Sequence, residues 1–180
     1  MEVVTNYTVA LVLALLASSC QPYGRVYDPE RRATVAKIDI LATVDNAVSA
    51  SVQILALDKD GGGISRGSGV VIGRNTVLTA RHMTEGNGVA AWLVKQGTQL
   101  SEAYCVRKGS GPQDDWAVLA LASPVGRPVR LVDSGGLSIR LHAQAVAIGY
   151  ALGMPTPSVT VGHIQEPYGK LIRMTSPIVF

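Results

Sequence analysis

The sequence has few charged residues, few cysteines and no long hydrophobic span, and each shortage excludes a class of protein. Charged residues make up 16% of the 180 positions, whereas typical soluble domains have roughly 25%. This composition, with 19 glycines, excludes a coiled coil, a long helical bundle and an intrinsically disordered chain. The two cysteines are too few for a disulfide framework, and no CxxC or HxxxH spacing indicates a metal site.

The net charge is also small. Sixteen Lys and Arg residues against 13 Asp and Glu residues give +3, and they are scattered along the chain without a block of like charges. We therefore expect no nucleic acid among the partners of this protein.

The first 20 residues have the pattern of an export signal. Val9–Ala17 is an unbroken apolar run, too short for a membrane span of about 20 residues but typical of a signal-peptide core. Ala17-Ser18-Ser19 then precedes Cys20, which resembles the lipobox of bacterial lipoproteins and would make Cys20 a lipidated membrane tether. Because Met1–Thr8 contains no Lys or Arg, ordinary cleavage near residues 17–19 stays open. We expect an exported protein: a periplasmic or cell-envelope lipoprotein, or otherwise a secreted protein.

The rest of the chain is predicted to be a linker followed by β-structure. Residues 21–38 are largely polar and are interpreted as a linker. Short β-branched runs follow, separated by turn signals such as Asp60-Gly61-Gly62-Gly63. Because no helical pattern lies between these runs, they favour an antiparallel barrel or sandwich. The predicted strands are Val52–Leu57, Gly69–Gly73, Thr76–Ala80, Val89–Val94, Ala117–Leu121, Ala145–Ile148, Ser158–Ile164 and Leu171–Thr175.

Residues 67–82 predict a strand, a tight turn, a second strand and then a histidine, His82. A histidine just past the end of a strand is held at the rim of a barrel and is open to a cleft. A general base needs this placement. An isolated histidine on a loop is, however, more often a solvated surface residue.

A second candidate group follows 33 residues later, where Asp114 and Asp115 precede the nearly all-apolar run Ala117–Leu121. A carboxylate at the start of such a strand could accept a hydrogen bond from a histidine ring N–H. It would then hold the histidine in one tautomer and stabilise the imidazolium. The residues alone leave Asp114 and Asp115 as alternatives.

At these residues the sequence resembles the trypsin-like (chymotrypsin-fold) serine peptidases, and among them the bacterial Deg/Htr type. Four motifs of that family occur in the family's order, and the similarity covers about residues 45 to 178. The resemblance implies an all-β double barrel, with a complete first barrel at 39–122 and an incomplete second barrel at 129–180. The four motifs are Gly67–His82, Asp115–Leu119, Ala147–Tyr150 and Thr160–Ile164.

The resemblance also implies a function. It is that of a serine endopeptidase with a His-Asp-Ser triad, acting on a protein or peptide substrate. His82 would be the general base, and the family's D-x-A-V-L spacing selects Asp115 over Asp114 as the residue that orients it. We expect no cofactor, because serine acyl transfer needs none. The sequence carries no signal for an oligomeric state.

Two serines are candidates for the nucleophile, and the resemblance argues against both. Asp133-Ser134-Gly135-Gly136 spells a nucleophile turn, but it precedes two motifs that the family's nucleophile follows, so we interpret it as an ordinary turn. Ser176 lies on the segment that leads to the family's nucleophile turn, and no glycine follows it to donate an oxyanion-hole N–H. The resemblance therefore predicts a serine beyond Phe180.

Two other interpretations remain open. A chain without its nucleophile would be a catalytically inactive protease-like module that binds a protein partner in its cleft. Alternatively, the chain is a generic exported β-domain whose His82 and Asp115 have no catalytic role. Labelling by a fluorophosphonate probe, which reacts with an activated serine, separates an enzyme from a binding module.

Overall fold

The computed structural model describes residues 40–111, 114–130, 141–168 and 171–175. In these ranges a helix, α1, is followed by nine strands and two short 3₁₀ turns, Arg81–Thr84 and Ala151–Gly153. No helix in the same ranges has the length and apolar character needed to cross a membrane. The predicted signal peptide with Cys20, the linker, Ser134 and Ser176 lie outside the described residues. The elements are α1 (Ile40–Ala50), β1 (Ser51–Leu57), β2 (Gly63–Gly73), β3 (Thr76–Thr79), β4 (Ala91–Gln96), β5 (Gln99–Lys108), β6 (Ala117–Leu121), β7 (Gln144–Gly149), β8 (Ser158–Tyr168) and β9 (Leu171–Met174).

The first six strands close into an antiparallel barrel in the order β1-β2-β3-β6-β5-β4. Alternate residues of each strand point into the barrel, and central residues of β1 and β2 are buried on both faces of the sheet. The interior is filled mainly by branched aliphatic side chains, and this packing is the main source of the barrel's stability. The fully buried members include Val52, Ile54, Val71, Val77, Val94 and Leu119.

The last three strands form a second antiparallel sheet in the order β7-β8-β9. Val146 and Ile148 of β7 pack with Val70 of β2 and with Ala47 and Ala50 of α1. The second sheet therefore covers the outer face of the first barrel, and α1 closes the side of this contact. The predicted all-β class, with one closed barrel and a second partial sheet, is confirmed.

Ser68 makes two buried hydrogen bonds, one with the segment that follows β7 and one within the first barrel. The backbone N–H of Tyr150 donates to Ser68 Oγ over 2.8 Å, and Thr79 Oγ1 donates to the carbonyl oxygen of Ser68 over 2.9 Å. Ser68 thus links the segment after β7 to β3, the strand that leads to His82. Burial raises the pKa of the Tyr150 phenol, whose hydroxyl lies 3.4 Å from the carbonyl oxygen of Ser51.

Two elements differ from the sequence-based expectation. Residues 40–50 form a helix rather than the start of the first barrel, because Val44, Ala47 and Val48 share one helical face that packs against the second sheet. Strand β5 was not predicted, because its apolar pattern is inverted. Small side chains such as Ser101 and Ala103 point inward, while Tyr104 and its alternate neighbours point to solvent.

Candidate active site

His82 lies in the 3₁₀ turn Arg81–Thr84, directly after β3. The backbone N–H of Met83 donates to the carbonyl oxygen of Ala80 over 3.2 Å, and that of Glu85 donates to the carbonyl oxygen of His82 over 3.3 Å. Thr84 Oγ1 donates to the carbonyl oxygen of Arg81 over 2.7 Å. These hydrogen bonds are formed within the turn itself. The His82 side chain is 45% exposed at the barrel rim.

Met83 anchors this turn to the barrel. Its side chain is 2% exposed and belongs to the barrel core, and its carbonyl oxygen accepts a hydrogen bond of 3.0 Å from the Trp92 indole. Gly67 provides the space, because a Cβ placed on Gly67 would lie 2.6 Å from Met83 Sδ. The first glycine of the Gly67-Ser68-Gly69 motif therefore positions the residue next to His82.

We expect Gly67→Ala to destabilise the barrel by about 1–3 kcal/mol, the usual cost of forcing a methyl group into a packed site. The displaced Met83 should also shift the NMR signals of the His82 ring. Urea unfolding measures the first effect, and a ¹H–¹³C spectrum of the imidazole measures the second. Gly63→Ala is the matched control, since a Cβ at Gly63 meets no atom within 4 Å. Equal stability of the two variants would contradict this role of Gly67.

Asp115 is carried by a short segment that leads into β6. The backbone N–H of Gly109 donates to the carbonyl oxygen of Trp116 over 2.8 Å, and that of Trp116 donates to the carbonyl oxygen of Asp114 over 2.9 Å. The main chain of Asp114 lies so close to Gly109 that a Cβ on this glycine would overlap it. The Arg107 guanidinium covers the Trp116 ring at 5.8 Å from the ring centre.

The structure brings His82 and Asp115 together. Oδ2 of Asp115 is 2.7 Å from His82 Nδ1, and Oδ1 accepts the backbone N–H of the same histidine over 3.0 Å. One carboxylate therefore binds both the ring and the main chain of His82, which fixes the ring relative to its own backbone.

A family model described as the trypsin-like peptidase domain matches residues 67–178, which is more than half of the chain. The chain belongs to the trypsin-like peptidase family. Among solved structures, the serine endoprotease from Yersinia pestis is similar with a TM-score of 0.56 and 26% sequence identity. The similarity covers 68% of this chain and 43% of that chain, so this trypsin-like chain spans less than half of that protein. A search of curated proteins finds no match.

Asp115 of this trypsin-like domain is ionised at neutral pH. Partial burial raises its pKa, but the opposing effects are larger together: the backbone N–H and the ring of His82 and the backbone N–H of Arg81 lower the pKa below the ordinary value of 3.8. An ionised carboxylate can only accept hydrogen bonds. The proton between the two side chains is therefore on Nδ1, and in the neutral ring Nε2 carries the lone pair that a general base needs.

The lowered pKa of Asp115 makes the stability of the fold depend on acid pH. A carboxyl group with a lower pKa in the folded than in the unfolded state stabilises the fold above the unfolded value, and this contribution is lost as the pH falls through the folded value. We expect the free energy of unfolding of Asp115→Asn to fall less than that of the wild type between about pH 5 and pH 2. Urea unfolding across this range tests the prediction, with Asp114→Asn as control. Parallel pH curves for the wild type and Asp115→Asn would contradict it.

Glu85 connects the two parts of the site. Its carboxylate lies 3.5 Å from Arg81 Nε and 3.0 Å from Lys108 Nζ, so it joins the turn that carries His82 to the end of β5. Lys108 directly precedes Gly109, against which the Asp115 segment packs. Sequence reasoning missed Glu85, Lys108 and Gly109. The four-residue spacing of Arg81 and Glu85 was a usable signal only for one of these contacts.

The other two histidines of the trypsin-like chain lie elsewhere. His142 and His163, which the sequence gives no catalytic role, are exposed residues of the second sheet region. Within the described ranges no group of three or more His, Cys, Asp and Glu side chains could hold a metal ion.

Proposed function

We propose that this protein is a serine endopeptidase that cleaves protein or peptide substrates. The single observation that carries the proposal is the geometry of the site, in which Oδ2 of Asp115 lies 2.7 Å from Nδ1 of His82. Membership of the trypsin-like peptidase family supports it, as does the similarity to a serine endoprotease. We further propose that the nucleophilic serine is provided by sequence that follows Phe180, in agreement with the order of the family's motifs.

In the proposed reaction His82 Nε2 takes the proton of the serine hydroxyl as its oxygen attacks the carbonyl carbon of the substrate. The imidazolium that forms is stabilised by the ionised Asp115, which remains unprotonated. His82 then transfers the proton to the leaving amine, the peptide C–N bond breaks, and an acyl-enzyme remains. Water hydrolyses this ester by the same sequence of proton transfers, so that the serine and His82 return to their initial states.

Export of this peptidase and lipidation at Cys20 stay predictions, since they rest on residues outside the described part of the chain. They agree with a protease that acts on proteins of the cell envelope. The mature N-terminus of the exported protein, read by mass spectrometry, tests both predictions. A diacylated cysteine at position 20 is expected, and an unmodified N-terminal residue from 18 to 20 would instead indicate ordinary cleavage.

A fluorophosphonate probe tests the proposed enzyme class. The protein is expressed from its gene together with the sequence that follows codon 180, and the labelled residue is located by mass spectrometry. We expect labelling of one serine in a Gly-x-Ser-Gly sequence, and loss of labelling in His82→Ala. Labelling that is equal in both proteins would overturn the role of His82. A protein that binds peptides but is never labelled would instead be the inactive binding module.

A further inference from the structure

Arg66 of β2 lies beside the turn that carries His82. Strands β2 and β3 pair antiparallel, so the first half of β2 runs next to the segment that follows β3. The contact of Gly67 with Met83 shows that this proximity is close. Arg66, which directly precedes Gly67, therefore lies close to the turn at the barrel rim.

The Arg66 side chain points to the face of β2 that lies toward the second sheet. Side chains alternate along a strand, so Arg66 and Ser68 point to one face, while Gly67 between them faces the barrel interior and Met83. The Ser68 hydroxyl on this face accepts the backbone N–H of Tyr150. Arg66 consequently lines the gap between the first barrel and the segment that follows β7.

The Arg66 side chain is held in this gap by Gly153. A Cβ placed on Gly153 would lie 3.0 Å from Arg66 Cδ and 3.3 Å from its Nη1, so the side chain lies flat against the glycine. Gly153 has a φ of +69°, a conformation that disfavours other residues. Gln53 Nε2 lies 3.3 Å from the carbonyl oxygen of Gly153 and so ties this turn to β1. The Arg66 side chain therefore rests against the turn Ala151–Gly153 in this structure.

The positive charge of Arg66 has no partner within the described part of the chain. The ion pairs there join Glu85 to Arg81 and to Lys108, and Asp115 to His82. The Arg66 side chain is exposed, so an incoming ligand can reach it. A guanidinium without a counter-charge, beside the turn that carries His82, is suited to two parallel hydrogen bonds with a carboxylate.

We propose that Arg66 determines specificity by binding a carboxylate of the peptide substrate, so that the enzyme prefers acidic peptides. This inference rests on the proposed peptidase function. The carboxylate belongs either to an Asp or Glu side chain near the scissile bond or to the C-terminus of the peptide. A single partly exposed, charge-assisted contact of this kind is worth about 1 kcal/mol, which corresponds to about a fivefold preference.

The experiment uses peptide sets that differ only by Asp against Asn, or Glu against Gln, at each position flanking the scissile bond. Each peptide is made with a free and with an amidated C-terminus, which distinguishes the two sources of the carboxylate. The protein is expressed with the sequence that follows codon 180, and kcat/KM is measured for the wild type, Arg66→Gln and Arg66→Glu. Arg74→Gln is the matched control, because Arg74 is an exposed arginine at the opposite end of β2.

We expect about a fivefold preference for the acidic peptides in the wild type and in Arg74→Gln. The preference should disappear in Arg66→Gln and reverse toward lysine-containing peptides in Arg66→Glu. A preference that survives in Arg66→Gln, or that is absent from the wild type, would overturn the proposal.

A binding measurement separates this proposal from that of the peptidase. Fluorescence polarisation of the same labelled peptides is measured with His82→Ala and with the His82→Ala/Arg66→Gln double variant, neither of which needs to cleave. If His82→Ala binds the acidic peptides more tightly than their amide counterparts and the double variant does not, the Arg66 site is supported even if no peptide is cleaved. Cleavage without any acid preference in binding or turnover would retain the peptidase and reject the Arg66 site.

Discussion

Replacing His82 with alanine is expected to reduce kcat for peptide cleavage by about 10⁶-fold, the loss found when the base of a serine-protease triad is removed. The variant keeps the Met83 anchor and the hydrogen bonds of the 3₁₀ turn, since these are formed by the main chain and by other side chains. What it loses is the nitrogen that we propose takes the serine proton. The measurement is kcat and kcat/KM on casein and on a fluorogenic peptide.

His163→Ala is the control for this experiment, because it removes an exposed histidine of β8. We expect its kcat to remain within twofold of the wild type, about the noise of the assay. Thermal unfolding of both variants tests whether the fold is intact. We expect it to be intact in His82→Ala, because the His82 side chain is 45% exposed. Residual cleavage by His82→Ala at the wild-type rate would end its assignment as the base.

Asp115→Asn is expected to reduce kcat by about 10⁴-fold while leaving the fold intact. The amide oxygen can still accept the backbone N–H of His82, which Asp115 accepts over 3.0 Å. The amide NH₂ group, however, would donate to Nδ1 and place the ring proton on Nε2. In that tautomer Nε2 cannot accept the proton of a serine, so the loss comes from the tautomer and not from the position of the ring.

Two readouts test this explanation. Kinetics should show the fall in kcat, and ¹⁵N NMR of the imidazole should show the proton moving from Nδ1 to Nε2. Asp114→Asn, which changes the adjacent carboxylate, should retain both the wild-type tautomer and kcat within a few-fold. If Asp114→Asn lost more activity than Asp115→Asn, the two aspartates would have exchanged roles.

Much of the fold was predictable, because most barrel strands have apolar residues at alternate positions, a pattern that indicates a strand with one face in the core. Val52 and Ile54 point to the same face of β1, and both are fully buried. The prediction failed for two elements. In β5 the inward-facing positions are occupied by the small residues Ser101 and Ala103 and not by large apolar ones. In α1 the β-branched residues Val44 and Val48 are helical, because this face of the helix packs against the second sheet.

The pairing of His82 with Asp115 was expected from two motifs, whereas the contacts that position the pair were not. A strand end followed by histidine, and an acid before an apolar strand, each have a local pattern. Glu85 and Lys108 belong to different elements and meet at 3.0 Å only after the barrel has closed. The packing of Gly67 against Met83 likewise depends on the register in which the neighbouring strands β2 and β3 pair.

The sequence by itself determined most strands of the first barrel and the place of His82 after a strand end, because alternation and strand ends are local properties of the chain. The choice of Asp115 over Asp114 came from the spacing of the family's motif. Only the tertiary structure decided the proton arrangement and the surroundings of the site. Three features depend on residues from separate elements. They are the 2.7 Å contact between Nδ1 of His82 and Oδ2 of Asp115, the lowered pKa of Asp115 and the contact of Arg66 with Gly153. Such contacts form only when the strands have paired in the native register, because the conformational preferences of single segments do not determine the distances between them.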